Sequence, residues 1–439
     1  MSDTVPQKPR LPRAPLVFAG GLLLAAGAAT ILDGAAFALA QAFQGRVDLS
    51  QAPVELAPQA PLNERERRAA ARAWAYFEHN TQPDTGLVDA VAGFPSATLW
   101  DQGSYLLALV SAQRLGLIDA AEFDGRVALF VDTLGRLPLF EGQLPNKVYD
   151  TQSLAMVDYA NAMVAEGIGW SALDLARLLM GLRVVEKHFP HHGAQIRAVL
   201  AGWNLPAMAA EGELIGATKE AGGVTELLQE GRVGYEQYGA RAAALWGLDV
   251  IRAMSAERVV DWREVSGIEV PGDLRRAVSF GAITPTLSEP YLLLALELGF
   301  DAESHMLAHR LYEAQEARFE ETGHLTAVSE DHLNRAPHFA YSSVTANGRP
   351  WAVVTEAGTF HDDLRTLSTK AAFGWDALYG TAYTAELKEA VLPLGTREGF
   401  PAGIYEADGS INDVYTLNTN AVILEALHYQ VYGPLWSVR

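Results

Sequence analysis

From residue 64 onward the chain reads as one helix after another, and the connections between helices alternate between very short and very long. This alternation constrains the fold more than any other feature. Apolar residues at helical spacing predict helices over about 64–80, from Trp100-Asp101, and over about 121–134. The next run from Trp170 to His188, over 193–203, from Tyr235 and from Glu289-Pro290. The last cover about 302–319, 368–378, 382–391 and 418–432. Phe189-Pro190 stops the fourth, because proline removes a helical donor and clashes with the preceding turn. Pro290 sits in a first turn, where its missing N–H costs nothing.

The connections at 116–118, 188–192, 299–301 and 379–381 are short. Those at about 81–99, 136–169, 204–234, 257–288, 320–367 and 392–417 are long, and each precedes one helix of a set of six. Helical hairpins closed into a ring would produce this pattern. The expectation is therefore an all-α protein, an (α/α)6 toroid with its six long loops on one face. Long loops on a rigid scaffold usually carry function. An open solenoid is the competing architecture, but it would show a repeat of fixed period, and none is visible. The fourth outer helix should lie between Leu248 and Pro271, where no clear helical periodicity is seen.

Composition narrows the chemistry. Apolar residues make up 49% of the chain, enough for a large core, and residues 64–439 are sufficient for one domain. The net charge is −20, from 33 basic and 53 acidic residues. A phosphate- or uronate-binding surface needs an excess of Lys and Arg, so nucleic acid is excluded as a partner and a neutral ligand fits better. The absence of cysteine excludes disulfides, zinc–thiolate sites and a thiol nucleophile.

Lys8, Arg10 and Arg13, within a basic tail at 1–13, precede the uncharged run APLVFAGGLLLAAGAATIL at 14–32. A second apolar stretch follows, so residues 14–43 read as a membrane anchor or a signal segment, with Ala38-Leu39-Ala40 as a cleavage site in the second reading. Basic residues ahead of the run keep the N-terminus inside. Both readings export the domain to the periplasm, either anchored in the inner membrane or released. Residues 44–63, with Pro53, Pro58 and Pro61, read as a linker.

The starts of the six helices expected to face inward share a chemistry, and each brings an aromatic, a carboxylate or an amide to one end of the ring. They are Trp100-Asp101-Gln102, Trp170-Ser171-Ala172-Leu173-Asp174, Tyr235-Glu236-Gln237-Tyr238, Ser288-Glu289-Pro290-Tyr291, Ser368-Thr369-Lys370 with Trp375, and Asn418-Thr419-Asn420. Asp101, Ser171, Ser288 and Ser368 are also natural caps for orphan N–H groups, and the aromatic residues are also natural core. Aromatic faces stack on sugar rings, while amides and carboxylates bond hydroxyls. The candidate ligand contacts are Trp100, Trp170, Tyr235, Tyr238, Lys370, Trp375, Asn418 and Asn420. The long loops add Tyr341 and Trp351, near a hairpin turning at Asn347-Gly348, and Tyr405.

No H-E-x-x-H, G-x-S-x-G or phosphate-binding glycine loop is present. His188, His191 and His192 cluster at a helix end, where they suit the dipole, so no metal or cofactor is expected.

The segments AWAYFEHNTQPDTGLVDAV, ATLWDQGSYLLALV, GWSALDLARLL, GYEQYGARAAALWG, SEPYLLLALE, STKAAFGWDALY and NTNAVILEAL resemble the bacterial domain-of-unknown-function family 3131, over nearly all of residues 64–437. That resemblance implies an exported or membrane-linked protein, in some members joined to polysaccharide-making glycosyltransferases. More loosely, the chain is similar to (α/α)6 glycoside hydrolases of the β-1,2-glucanase type. This implies a neutral oligo- or polysaccharide substrate and a glycoside hydrolase or transglycosylase.

Such chemistry needs two carboxyl groups, one of them kept protonated. Glu236, between two tyrosines, is the first candidate for the proton donor. Glu289, Glu330 and Asp331 are candidate partners, and Asp101 is a further one. A non-catalytic glycan-binding module assisting polysaccharide synthesis is the alternative. A polysaccharide lyase is a third reading, disfavoured by the acidic balance.

Overall fold

The computed structural model describes residue 49 and residues 53–437, apart from 221 and 278–280. The apolar run at 14–32 lies outside the described residues. Among those described, no helix is long and apolar enough to cross a membrane.

Six helices form an inner ring: α2 (Leu99–Arg114), α4 (Ala172–His188), α6 (Tyr235–Ala244), α7 (Glu289–Leu293, continued by a π turn over Leu294–Leu298), α9 (Thr369–Tyr379) and α11 (Leu417–Tyr432). Each packs on the next in that order, and α11 closes the circle against α2. Their sequences explain their place. In α2 every residue from Gln102 to Ala112 is buried, as expected of a helix enclosed on all sides. Gly103 lets α2 approach α4 closely: a Cβ there would lie 2.6 Å from the Arg177 backbone.

Outside the ring lie α1 (Glu64–Asn80), α3 (Ala120–Arg136), α5 (Gly193–Leu200), α8 (Ala302–Thr322) and α10 (Ala382–Val391). Each packs on its inner neighbour. This is the (α/α)6 toroid expected from the alternating connections. The fourth outer position differs. Helix α6 ends at Ala244, and turns through Gly247 (φ 82°) lead into a hairpin of Val260–Val265 with Ile268–Asp273. That hairpin packs against α8 and fills the place of a helix.

The all-α expectation also needs correction. Seven small antiparallel sheets of two or three strands occur among the described residues, nearly all within the long loops. Backbone polar groups in loops this long must find partners, and hairpins supply them locally. Two strands matter for the site: β1 (Glu330–His332) and β2 (Phe339–Ser342), paired antiparallel. The expected turn at Asn347-Gly348 is present between Thr345–Ala346 and Arg349–Pro350.

Residues 53–63, read from sequence as linker, are tied to the ring. The Ala57 N–H donates to the Leu378 carbonyl (2.7 Å) and the Ala60 N–H to the Gln430 carbonyl (2.8 Å). Both acceptors are at the C-terminal ends of inner helices, so this segment crosses the face opposite the long loops.

Candidate active site

The N-termini of the inner helices converge on a cavity of about 840 Å³, roofed by the long loops. Its size and mixed lining suit a bound ligand. Behind the Trp100 wall of the cavity lies the fully buried side chain of Arg177 on α4. The guanidinium pairs with Glu297 of α7 (2.5 Å) and Glu425 of α11 (3.2 Å), and donates to the Tyr238 hydroxyl of α6 (3.0 Å) and to Ser104 of α2 (2.7 Å). Five inner helices therefore meet on one cation. The π turn in α7 carries Glu297. Arg177 also lies 4.8 Å from the centre of the Trp100 ring, which fixes that indole as part of the cavity wall.

Two groups of carboxylates line the cavity. The first surrounds the start of α4. Glu230 accepts from the Ser171 hydroxyl (2.6 Å) and the Ala172 N–H (2.5 Å), and so caps that helix. Asp174, one turn in, is raised well above the usual range by burial, and further by the charges of Glu230 and Asp101. Asp101 caps α2 in a reciprocal box with Thr98, accepting from its N–H (3.0 Å) and hydroxyl (2.7 Å). Lys147 is the cation lining this side.

The second group surrounds Lys370 of α9. Lys370 is buried, in close contact with Glu289 and 3.8 Å from Asp331. Glu289 also accepts from the Asn418 amide (2.8 Å). Burial pushes Asp331 up to about 7, with Lys370 opposing it. Glu330 is raised by burial and by the Glu289 charge. Three carboxyls share one ammonium here, so full ionisation is costly and a proton is retained. The Tyr235 hydroxyl, which donates a hydrogen bond to Glu330, lowers its pKa slightly against these effects.

In the ring order α2–α4–α6–α7–α9–α11, helices α4 and α9 are diametrically opposed. Asp174 and the Lys370 cluster thus occupy opposite walls. Tyr341 lines the same cavity, and its phenol is raised by burial and then by charges that include both Glu330 and Asp174. Tyr235 lies against Glu330 in the same way.

Of the residues singled out from sequence, Trp100, Asp101, Tyr235, Glu330, Asp331, Tyr341, Lys370 and Asn418 line the cavity. Glu289 lies just beneath, held by Lys370 and Asn418. The others are engaged elsewhere. Glu236 points away from the cavity, where Arg275 grips both its oxygens (3.0 and 2.6 Å). Burial pushes Glu236 up to about 7 with Arg275 opposing it, but the bidentate grip holds the carboxyl outside the cavity lining. Trp170 donates to the Ile215 carbonyl (3.0 Å), and Trp375 donates to Ser288 (2.9 Å). Tyr238 belongs to the Arg177 network behind the Trp100 wall. The Trp351 ring is covered by Arg318, and Tyr405 is covered by Arg335 and donates to Asn334 (2.9 Å). The Asn420 amide satisfies the Phe400 and Thr416 backbone.

The sequence profile of a family described as protein of unknown function (DUF3131) matches residues 68–433. The chain belongs to that family. No curated protein matches this DUF3131 chain. Solved structures share its fold at low identity. A Bacteroides caccae protein described as a candidate glucoamylase aligns with a TM-score of 0.58 at 15% identity, covering 85% of this chain and 94% of the other. The Chitinophaga pinensis endo-β-1,2-glucanase, solved with sophorotriose and glucose, gives 0.59 at 13%, covering 85% and 93%. A Parabacteroides distasonis β-1,2-glucanase gives 0.60 at 12%, covering 86% and 58%.

Several residues lining the cavity of this DUF3131 domain escaped sequence reasoning. Asp174 lies within the helix start at Trp170 but is not among the candidate carboxyls. Glu230, Tyr159, His332 and Glu356 come from loops whose approach to the ring depends on tertiary structure. Only the position of Asp174, three residues after a capping Ser171, carried a signal, since that site projects from the helix N-terminus.

Proposed function

We propose that this DUF3131 domain is a glycoside hydrolase of the cell envelope that cleaves a neutral glucan, with Glu330 as proton donor and Asp174 as base. The observation that carries this reading is that Asp174, in the first turn of α4, and Glu330, next to the Asp331 that faces Lys370 of the opposed helix α9, line one cavity. Glu330 in its protonated form donates to the glycosidic oxygen as the bond to the anomeric carbon breaks. Asp174 in its ionised form takes a proton from the water that attacks that carbon from the other side. Trp100, Tyr235 and Tyr341 offer faces for sugar rings, and Asn418 offers an amide for hydroxyls.

The glucanase names of the structural neighbours support a glucan as substrate. The acidic chain supports a neutral one. The run at 14–32 supports a periplasmic domain tethered to, or released from, the inner membrane, where nascent polysaccharide is the natural encounter.

Incubating the protein with a panel of neutral and acidic glucans, and assaying new reducing ends, tests the reading. Release from a neutral glucan is expected. Ultraviolet-absorbing unsaturated ends would instead indicate a lyase, and binding without cleavage would indicate a glycan-binding module.

A further inference from the structure

On the face opposite the cavity, the short turn between α4 and α5 meets the first turns of α3. Pro190–His192 form a single 3-10 turn, and its two imidazoles converge on one carboxylate oxygen. His191 Nε2 lies 2.8 Å and His192 Nε2 2.9 Å from Asp124 Oδ1. All three potential ligand atoms lie within 4.8 Å of one another.

Adjacent residues on a tight turn ordinarily send their side chains apart, so this convergence needs a cause. Packing supplies it. Phe189 lies against Phe123 with ring centres 4.1 Å apart, and the His192 ring meets the edge of Phe123 at 6.2 Å. The turn is thereby fixed on α3 with Asp124 beside it. His192 is buried, whereas His191 and Asp124 are about half exposed (57% and 45%), which leaves a side open to solvent.

We propose that Asp124, His191 and His192 form a binding site for a divalent transition-metal ion, with Zn²⁺ as the natural occupant. Two imidazole nitrogens and one carboxylate oxygen are a borderline donor set that suits Zn²⁺ and its neighbours better than Ca²⁺ or Mg²⁺. Ligand atoms about 2.0–2.2 Å from a tetrahedral Zn²⁺ stand roughly 3.3–3.5 Å apart. The present separations of 2.8 and 2.9 Å between each nitrogen and the oxygen need to open only slightly. Binding requires each Nε2 to give up its proton, to Nδ1 of the same ring or to solvent, and water completes the open side. The ion would tie the first hairpin of the toroid to the second. It would take no part in the cavity chemistry, from which the length of α4 separates it.

The test uses the full-length, untagged protein, dialysed against chelator and titrated with ZnCl₂ by calorimetry at pH 7.5. Co²⁺ absorption serves as a second readout. The expected result is one saturable site. His191→Ala and Asp124→Asn should each weaken it by at least about tenfold, since even outer partners of metal ligands change affinity by about 10–100-fold. Both variants alter half-exposed side chains, and circular dichroism checks that they fold. Absence of saturable binding to the wild type, or undiminished affinity in either folded variant, would overturn the proposal.

Discussion

Glu330 and Tyr341 are register partners across the antiparallel pair β1–β2, so both side chains leave the same face of that small sheet, toward the cavity. The phenol therefore helps to keep water from the carboxyl, and burial is the largest cause of its raised pKa. Replacing Tyr341 by Ala should admit water and lower the Glu330 pKa. The alkaline limb of the kcat/KM profile should then move toward acid pH, because the proton donor ionises earlier. Hydrolysis rates measured across pH for both proteins check this.

Stability should also depend on pH in a defined direction. Asp331 in the fold is raised from 3.8 to about 7, so the native state favours its protonated form. That contribution is fully present below pH 3.8 and is lost as pH rises through about 7. Asp174 and Glu330 are shifted in the same direction. The melting temperature should therefore fall as pH rises from 3.8 to about 7, and Asp331→Asn should make that fall shallower. Calorimetric scans at several pH values measure it.

Arg177 is the cation on which five inner helices meet. Its replacement by Met would leave Glu297 and Glu425 facing each other in a buried site. Breaking a buried pair from one side costs about 3–5 kcal/mol. Urea denaturation should show a loss of that order, and Trp100 fluorescence should change as the indole loses its platform.

Glu236→Gln separates structural from catalytic carboxyls. Glu236 is clamped by Arg275 outside the cavity wall. The variant should melt earlier than wild type, yet turn over substrate at the wild-type kcat once folded. A steady-state assay beside a thermal scan distinguishes the two effects.

Much of this architecture was legible because it rests on local pattern. The alternating connections gave the hairpin ring, and the helix starts at Trp100, Tyr235, Lys370 and Asn418 do reach the cavity. Patterns of the same kind failed where tertiary partners decide. Nothing near Glu236 in sequence announces Arg275, 39 residues away, whose grip holds this carboxyl outside the cavity lining. Trp170, Trp375 and Tyr405 were aromatic residues at suggestive positions, but a buried donor found a backbone or side-chain acceptor in each case. The hairpin in the fourth outer position was equally hidden, since only its packing on α8 makes a strand pair do the work of a helix.

If Glu330 and Asp174 act as acid and base, removing either carboxyl must stop turnover. Purified wild type, Glu330→Gln and Asp174→Asn are assayed for reducing ends on the neutral glucan that the wild type cleaves best. Each variant should lose about 10²–10⁴-fold in kcat while keeping its circular dichroism and its affinity for the glucan. Glu330→Gln should in addition retain activity on a glycosyl fluoride, whose leaving group needs no proton. Wild-type turnover of the glucan by either folded variant would contradict the assignment.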